Sequence, residues 1–507
     1  MRFQICLIIT QRRAKSESVG ERIFRTRIGQ VVRIGAKKHS FWFWFYITFL
    51  PFISAEICLI RQNRLFERGL GGSSGYGRIG RFWIVLLLTL FFKSARFCLL
   101  RAIRVQKSVK IESVVRNPKS KILIAGGGPG GASAAIRLAA EGFAVSLIER
   151  ERFPREKLCG EFISPECLEH FRALGVLDEM MTAGGETVSE TLFFEPGGRS
   201  VAVPTDWFGR GSTALSLSRA EMDLRLLERA RAAGVEVLAA TSIAGVEVYG
   251  GPVRGVRVRG ADGIVSELHA DVFIDATGRA RILSKLAERT AGVDLPARKP
   301  EIVCFKSHVR GAGIPEGRCE LYSFPGGYGG LTRIEGGLAN HCFMVRTASA
   351  RELKSNADAI VSELVFQNLR AAETLRDAVP EGGWLAVAVG RFGITNLAAA
   401  DNLFAIGDAA AFIDPFTGSG MLMALESGGL LAECIVSAGG NTEIVRADYA
   451  RRYRKHFARR LRICSLLRHA AFSPKAAKTL IFTLGASRRS LEFLARSTRP
   501  RKTARSG

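Results

Sequence analysis

The sequence predicts an α/β chain: a doubly wound, Rossmann-like nucleotide domain, an inserted β-rich domain and C-terminal helices. Three observations predict it. The run Gly126-Gly127-Gly128-Pro129-Gly130-Gly131 stands between a short apolar strand and an Ala-rich helix. A second strand, ending in Gly407-Asp408, lies far downstream and also precedes a helix. Between them, over 301–390, the pattern changes to strands and Gly-rich turns. Strands alternating with helices argue for a parallel sheet, and the interruption argues for a domain set between its halves.

The first element, residues 1–118, is a basic extension that mixes Arg-rich stretches with apolar bursts and holds no lasting periodicity. The run 41–60 carries one charge, Glu56, and has the length of a bilayer span. Pro51 interrupts it, basic residues flank both ends, and the run 82–92 is too short to cross alone. Met1 is the only methionine before Met180, so a start site placed too far upstream is the alternative to membrane association.

Regularity begins at 119. Residues 121–125 read as a strand, 132–141 as a helix and 144–148 as a second strand. Residues 219–233 read as an amphipathic helix with Met222, Leu226 and Ala230 on one face. Residues 235–238 and 272–276 read as further strands, and 420–435 and 444–470 as helices. The domain reading is therefore 119–300 for the first part of the nucleotide domain, with strands of the inserted domain at about 185–215. The β-rich domain follows at 301–390, the second nucleotide part at 391–445 and a basic helical C-terminal segment at 446–507.

Charge follows these divisions. The chain has 507 residues and a net charge of +26. Residues 1–118 hold 22 Lys and Arg against 5 Glu, and 446–507 hold 18 against 2 acids. The middle is mildly acidic, with 33 basic and 40 acidic residues. The basic ends either attract an anionic surface non-specifically or are solvated tails; no specific nucleic-acid site is expected. Ten scattered cysteines include no Cys-x-x-Cys pair, so neither a zinc site nor a redox pair is signalled and no metal is expected. No short cleavable signal is evident, and reduced thiols point to the cytoplasm, with membrane association as the alternative.

The glycine run carries the chemistry. It matches G-x-G-x-x-G in the strand–turn–helix setting that lets a pyrophosphate approach the backbone of Gly126, Gly128, Pro129, Gly130 and Gly131. The following helix offers its unpaired N–H groups and positive dipole end. Eighteen residues after Gly131, at the end of the second strand, Glu149 can accept from ribose hydroxyls, with Arg150 beside it. That carboxylate would repel a 2′-phosphate.

The downstream motif Asn402-Leu403-Phe404-Ala405-Ile406-Gly407-Asp408, with Asp414, Pro415, Gly418 and Gly420 after it, resembles the superfamily of FAD-dependent hydroxylases, geranylgeranyl reductases and flavin-dependent halogenases. The resemblance covers about 119–445. It implies FAD, with Gly407 and Asp408 at the ribityl chain and Pro415, Gly418 and Gly420 bringing a helix N-terminus to the flavin ring. Asp275-Ala276-Thr277-Gly278 resembles the superfamily's turn near the pyrophosphate, with Thr277 where many hydroxylases have Asp. Ser218-Arg219-Ala220-Glu221-Met222-Asp223 resembles the segment whose Arg reaches the cofactor; a solvated helix start is the alternative for Arg219. Lys157-Leu158-Cys159-Gly160-Glu161 resembles a stretch of geranylgeranyl-reductase-like proteins beside the flavin, which makes Cys159 the candidate catalytic residue or else a packing thiol. Glu320-Leu321-Tyr322-Ser323-Phe324-Pro325 keeps only the Phe-Pro of the reductases' substrate-domain motif. Nothing after Gly131 matches the Trp-x-Trp-x-Ile-Pro segment of halogenases.

The resemblance implies an FAD-dependent oxidoreductase loaded by NAD(P)H as a transient reductant and acting on a hydrophobic small molecule. A monooxygenase for an aromatic or polyketide-like substrate is the first expectation. A double-bond reductase for an isoprenoid lipid is the alternative, and a non-catalytic FAD-binding electron carrier the third. In the C-terminal segment Tyr453, Phe457 and Leu461 fall on one helical face among arginines. That face either lies on an anionic membrane or packs against the nucleotide domain.

Overall fold

The computed structural model describes residues 120–208, 213–293, 299–390 and 392–499. The apolar runs at 41–60 and 82–92, and the question of the start site, lie outside them.

Strand β1 (Lys121–Ala125) buries alternate residues in two different cores. Ile122 and Ile124 face helices, while Leu123 and Ala125 face a three-stranded antiparallel meander at 242–268 and the helix Ile282–Thr290. A strand covered on both faces reads as a continuous apolar run, which KILIA is. Helix α1 (Pro129–Ala140) follows, then β2 (Ala144–Ile148), β3 (Glu190–Phe194), β4 (Ser200–Pro204), α2 (Arg219–Ala232), β5 (Glu236–Leu238) and β6 (Val272–Asp275). The helix begins at Pro129 rather than at the expected 132, because proline's fixed φ suits the first helical position and the next two glycines continue the turn.

The middle of the chain supplies β7 (Ile302–Arg310), β8 (Arg318–Phe324), β9 (Gly327–Arg333), β10 (Ala339–Arg346) and β11 (Val379–Val389). The return to the first sheet is made by β12 (Ala398–Ala400) and β13 (Leu403–Ala405), followed by helices α3 (Gly420–Ser437), α4 (Thr442–Ala471), α5 (Pro474–Gly485) and α6 (Arg488–Ser497).

The nucleotide sheet runs β12-β13-β6-β1-β2-β5, parallel except at the β12 edge, with Ile122 in register with Val145 and Val272. It is a doubly wound α/β sheet. The second large sheet runs β11-β7-β10-β9-β8-β3-β4. Two of its seven strands come from before α2, and β3 joins β8 in parallel through Phe194 and Tyr322. One face of this sheet packs on short helices between 347 and 374, around Phe305, Phe343 and Ile360. The other carries Cys304, Tyr328 and Met344 and meets Phe412, Phe416 and Phe472.

Helix α4 corrects the lipid-facing alternative for 453–461. Tyr449, Tyr453 and Phe457 are fully buried in the nucleotide-domain core, and Leu461 packs against it. The Tyr449 hydroxyl donates to the carbonyl of Ala405 at 2.8 Å, and Arg460 pairs with Glu426 at 2.8 Å. The aromatic face meets α3 and the end of β13 instead of lipid, since burying it there removes more apolar surface from water than a solvated helix would. Among the described residues one helix, α3, is long and apolar enough to cross a membrane; it is 61% buried and packs against α1.

Candidate functional site

The two sheets enclose a cavity of about 1050 Å³. Its first wall is the glycine turn. Gly126 has φ of +106°, and a Cβ there would lie 2.3 Å from the carbonyl oxygen of Ala276, so only glycine fits. Gly131 passes so close to Gly126 that a Cβ would lie 1.9 Å from its carbonyl. Gly128, Pro129 and Gly130 face the cavity at the start of α1, where Gly128 is an N-cap with no side-chain acceptor. A Cβ at Gly128 would meet nothing nearer than Arg219 Nη2 at 3.8 Å. The turn is thus a backbone cradle with uncapped N–H groups directed at open space, the geometry a pyrophosphate requires.

Glu149 ends β2 as expected. Its carboxylate accepts from the N–H of Gly127 at 2.8 Å and of Glu151 at 3.1 Å, which fixes it beside the turn. Arg150 sits at the rim, its side chain 68% exposed and paired with Glu151. Arg219 is no solvated helix start. Its guanidinium grips the fully buried Asp223 with two bonds of 3.0 and 2.7 Å, and it lines the cavity.

Asp223 is shared. Arg155 reaches it at 2.9 Å and lies 3.8 Å from Glu149. Arg155, Lys157, Arg219 and Arg279 line the cavity together with the carboxylates of Glu149, Glu156, Glu161 and Asp408, so charges of both signs border the space beyond the glycine turn. Burial, then the neighbouring Arg219 and Arg155, lowers the Lys157 amine from its ordinary value. Arg155 and Arg279 carry no sequence signal of their own; 149–152 and 155–157 are all charged, and nothing local marks Arg155 as the arginine that turns inward.

Opposite lies the Gly407–Asp408 turn. Gly407 donates to Ser427 Oγ at 2.9 Å, and Asp408 turns its side chain to the cavity. Burial raises the Asp408 carboxyl, opposed by Arg279, Lys157 and Arg219. Pro415 opens a short turn capped by Asp414, and Gly418 and Gly420 lead into α3. The 18-residue α3 starts without a side-chain cap and without an acid in its first turn, so its N-terminus is available to a ligand. Gly278 lines the cavity, but the carboxylate of Asp275 does not reach it. That carboxylate accepts from Thr277 Oγ1 at 2.6 Å and from the N–H of Ser284 at 2.8 Å, and so builds the turn.

Cys159 is half-buried on the cavity wall, its carbonyl held by Asn340 at 3.0 Å. Behind it Glu161, with φ of +54°, accepts from the Arg219 N–H at 2.8 Å, Lys306 at 2.7 Å and His308 at 2.8 Å. Burial alone would raise this carboxyl, but His308 and Lys306 outweigh it and hold it below the usual carboxylate range. Glu156, Glu161 and His308 together have the spacing of a metal-ligand set. The Lys306 ammonium bonds both carboxylates, at 2.6 and 2.7 Å, and supplies the positive charge an ion would bring.

Beyond the turn motifs the cavity becomes apolar. Leu321 of β8 lines it together with Leu480, Ile481, Leu484 and Leu491 of α5 and α6.

Comparison with known proteins agrees with this layout. A family profile described as FAD binding domain matches residues 119–438. A tryptophan 2-halogenase from Chondromyces crocatus is 30% identical over 67% of this chain and 66% of its own length. A digeranylgeranylglycerophospholipid reductase from Methanosarcina mazei is 28% identical over 66% of this chain and 81% of its own. Among solved structures, a flavin-dependent brominase superposes with a TM-score of 0.62 at 19% identity, covering 74% of this chain and 93% of that one, a likeness of fold.

Proposed function

This chain belongs to the FAD binding domain family and is an FAD-dependent oxidoreductase, and from that premise we propose that it reduces a carbon–carbon double bond in a long apolar molecule. The observation that carries this reading is the wall formed by 157–161, the segment that resembles geranylgeranyl-reductase-like proteins, opening onto the leucine-rich chamber. The M. mazei relative is a lipid reductase by name and matches over most of its own length.

In this reading FAD, when bound, supplies the hydride. The glycine turn and the N-terminus of α1 hold its pyrophosphate, with Arg155 and Arg219 neutralising charge. Glu149 would hold the adenosine ribose, Asp408 would accept from the ribityl hydroxyls, and the α3 N-terminus would stabilise negative charge on the reduced ring. Cys159 and the apolar chamber place the substrate and exclude water from it. NAD(P)H is the reductant, bound transiently. A cytoplasmic setting suits the seven free thiols among the described residues.

Hydroxylation of an aromatic compound is the second reading. It is favoured by Phe193, Phe416 and Tyr328 on the cavity wall, whose rings meet at 5.2 Å, the first pair tilted by 51° and the second edge-on, and offer aromatic contacts to a planar guest. The deciding experiment incubates reduced enzyme with an isoprenoid-chain lipid and with an aromatic acid, then measures product mass. A gain of two hydrogens on the lipid supports reduction. A gain of one oxygen on either substrate overturns it in favour of hydroxylation.

A further inference from the structure

The last three helices have two different faces. Their inner side chains, among them Leu467, Leu480, Ile481, Leu484, Leu491 and Leu494, form a roof over the apolar chamber. Each outer face presents one large apolar side chain to water. Leu466 on α4 is 72% exposed, Phe482 on α5 is 63% and Phe493 on α6 is 71%. Exposing one such residue is ordinary, but each of these is flanked by exposed cations at helical spacing. Arg462 stands four residues before Leu466, Lys478 four before Phe482, and Arg489 four before Phe493, with Lys475 and Arg496 extending the last two rows. Arg199, from the turn before β4, adds a guanidinium 5.6 Å from the Phe482 ring.

The charge on this segment is one-sided. Across 459–499 seven exposed cations, Arg459 and Arg488 being the other two, meet a single carboxylate, Glu492, which is taken up by Arg496 at 2.7 Å. A protein partner with an acidic groove would need pockets for three separated apolar side chains. An anionic bilayer offers both features continuously: charge at the headgroups and hydrocarbon just beneath.

We propose that the outer faces of α4, α5 and α6 dock on an anionic membrane surface, Phe482 and Phe493 entering the headgroup boundary while the lysines and arginines stay among the phosphates. This surface is distinct from the buried Tyr453–Phe457 face. It places the roof of the chamber against the lipid phase, so that an apolar molecule passes between helices without crossing water.

The test uses the full-length holoenzyme with vesicles of phosphatidylglycerol and phosphatidylcholine, or of phosphatidylcholine alone, in a co-sedimentation assay. The protein sediments with the anionic vesicles at about 0.05 M salt and is released at about 0.5 M, where the Debye length falls to roughly 4 Å. Phe482→Ser with Phe493→Ser lowers vesicle affinity about tenfold or more, with yellow colour and Tm retained because both side chains are already in water. A second variant, Lys475→Gln with Lys478→Gln and Arg489→Gln, flattens the salt dependence. Wild-type protein that stays in the supernatant at low salt overturns the proposal. So does a double Phe variant that sediments like wild type, since the contact then lies elsewhere in the chain. A dimer that the same variant dissolves, without vesicle binding, overturns it in favour of a second copy as occupant. Turnover of a detergent-dispersed substrate is independent of all these outcomes and tests the catalytic reading separately.

Discussion

Lys306 Nζ lies 2.7 Å from Glu161 Oε1, joining residues 145 apart in sequence, and both side chains are withdrawn from solvent. The bond ties β7 of the large sheet to the segment carrying Lys157 and Cys159, and with Lys306–Glu156 and His308–Glu161 it fixes how that wall of the cavity meets the sheet.

Glu161→Gln leaves Lys306 with the half-exposed Glu156 and turns a neutral amide to His308 in place of its buried carboxylate. Breaking a buried pair from one side costs roughly 3–5 kcal/mol, so the urea midpoint falls clearly. The pH dependence has a definite sign. The folded carboxyl is held below its unfolded value, so its contribution is present above about pH 4.3 and is lost as pH falls through the depressed folded value. The stability gap between wild type and variant therefore closes on acidification. A gap that widens in acid contradicts the assignment.

Gly128→Glu places a carboxylate in the glycine turn proposed to hold the pyrophosphate. The site has room, Arg219 Nη2 being the nearest atom at 3.8 Å, so the apoprotein folds with a near-normal Tm while FAD retention after gel filtration is lost. Full flavin content in this variant contradicts a pyrophosphate at that turn.

Asp408→Ala removes the acceptor proposed for the ribityl hydroxyls. A hydrogen bond to a charged group contributes roughly 1.5–3 kcal/mol, so the Kd for FAD rises by an order of magnitude or more, read by flavin fluorescence. Because burial raises this carboxyl, wild-type affinity begins to fall on acidification at a higher pH than an ordinary aspartate would give. The variant shows no such step.

Phe457→Ala empties a fully buried site between α4 and the nucleotide domain. Phe-to-Ala changes in cores cost about 3–5 kcal/mol, so Tm drops, while vesicle affinity of the folded fraction is unchanged. Loss of vesicle binding with unchanged Tm would return this face to the surface.

Much of the cavity's lining was legible because its parts are local. A strand, a glycine turn and a helix start are contiguous, so Gly126, Gly128 and Gly130 fall on the cavity together with Glu149 at the next strand's end. The Gly407–Asp408 turn and Gly418 were readable for the same reason. What sequence could not convey was pairing across long separations. Lys306 and His308 look like alternate residues of an ordinary strand until β7 is laid beside 156–161. Tyr453 and Phe457 announce an apolar face by their spacing, but spacing does not say whether lipid or protein covers it. Arg150 and Arg155 have similar local surroundings, yet one points to water and the other to Asp223, a difference decided by the path of the chain after β2.

The chamber's roof is one uninterrupted terminal stretch, whereas the glycine turn, Asp408 and the α3 start are scattered through the body. An ancestor could therefore exchange 459–499, which begins after the buried Tyr449, Tyr453 and Phe457 of α4, in a single recombination event and keep the residues proposed to hold the cofactor. Selectivity for guest length in such a lineage would be inherited as a detachable module, and transplanting 459–499 between relatives is the direct way to move it.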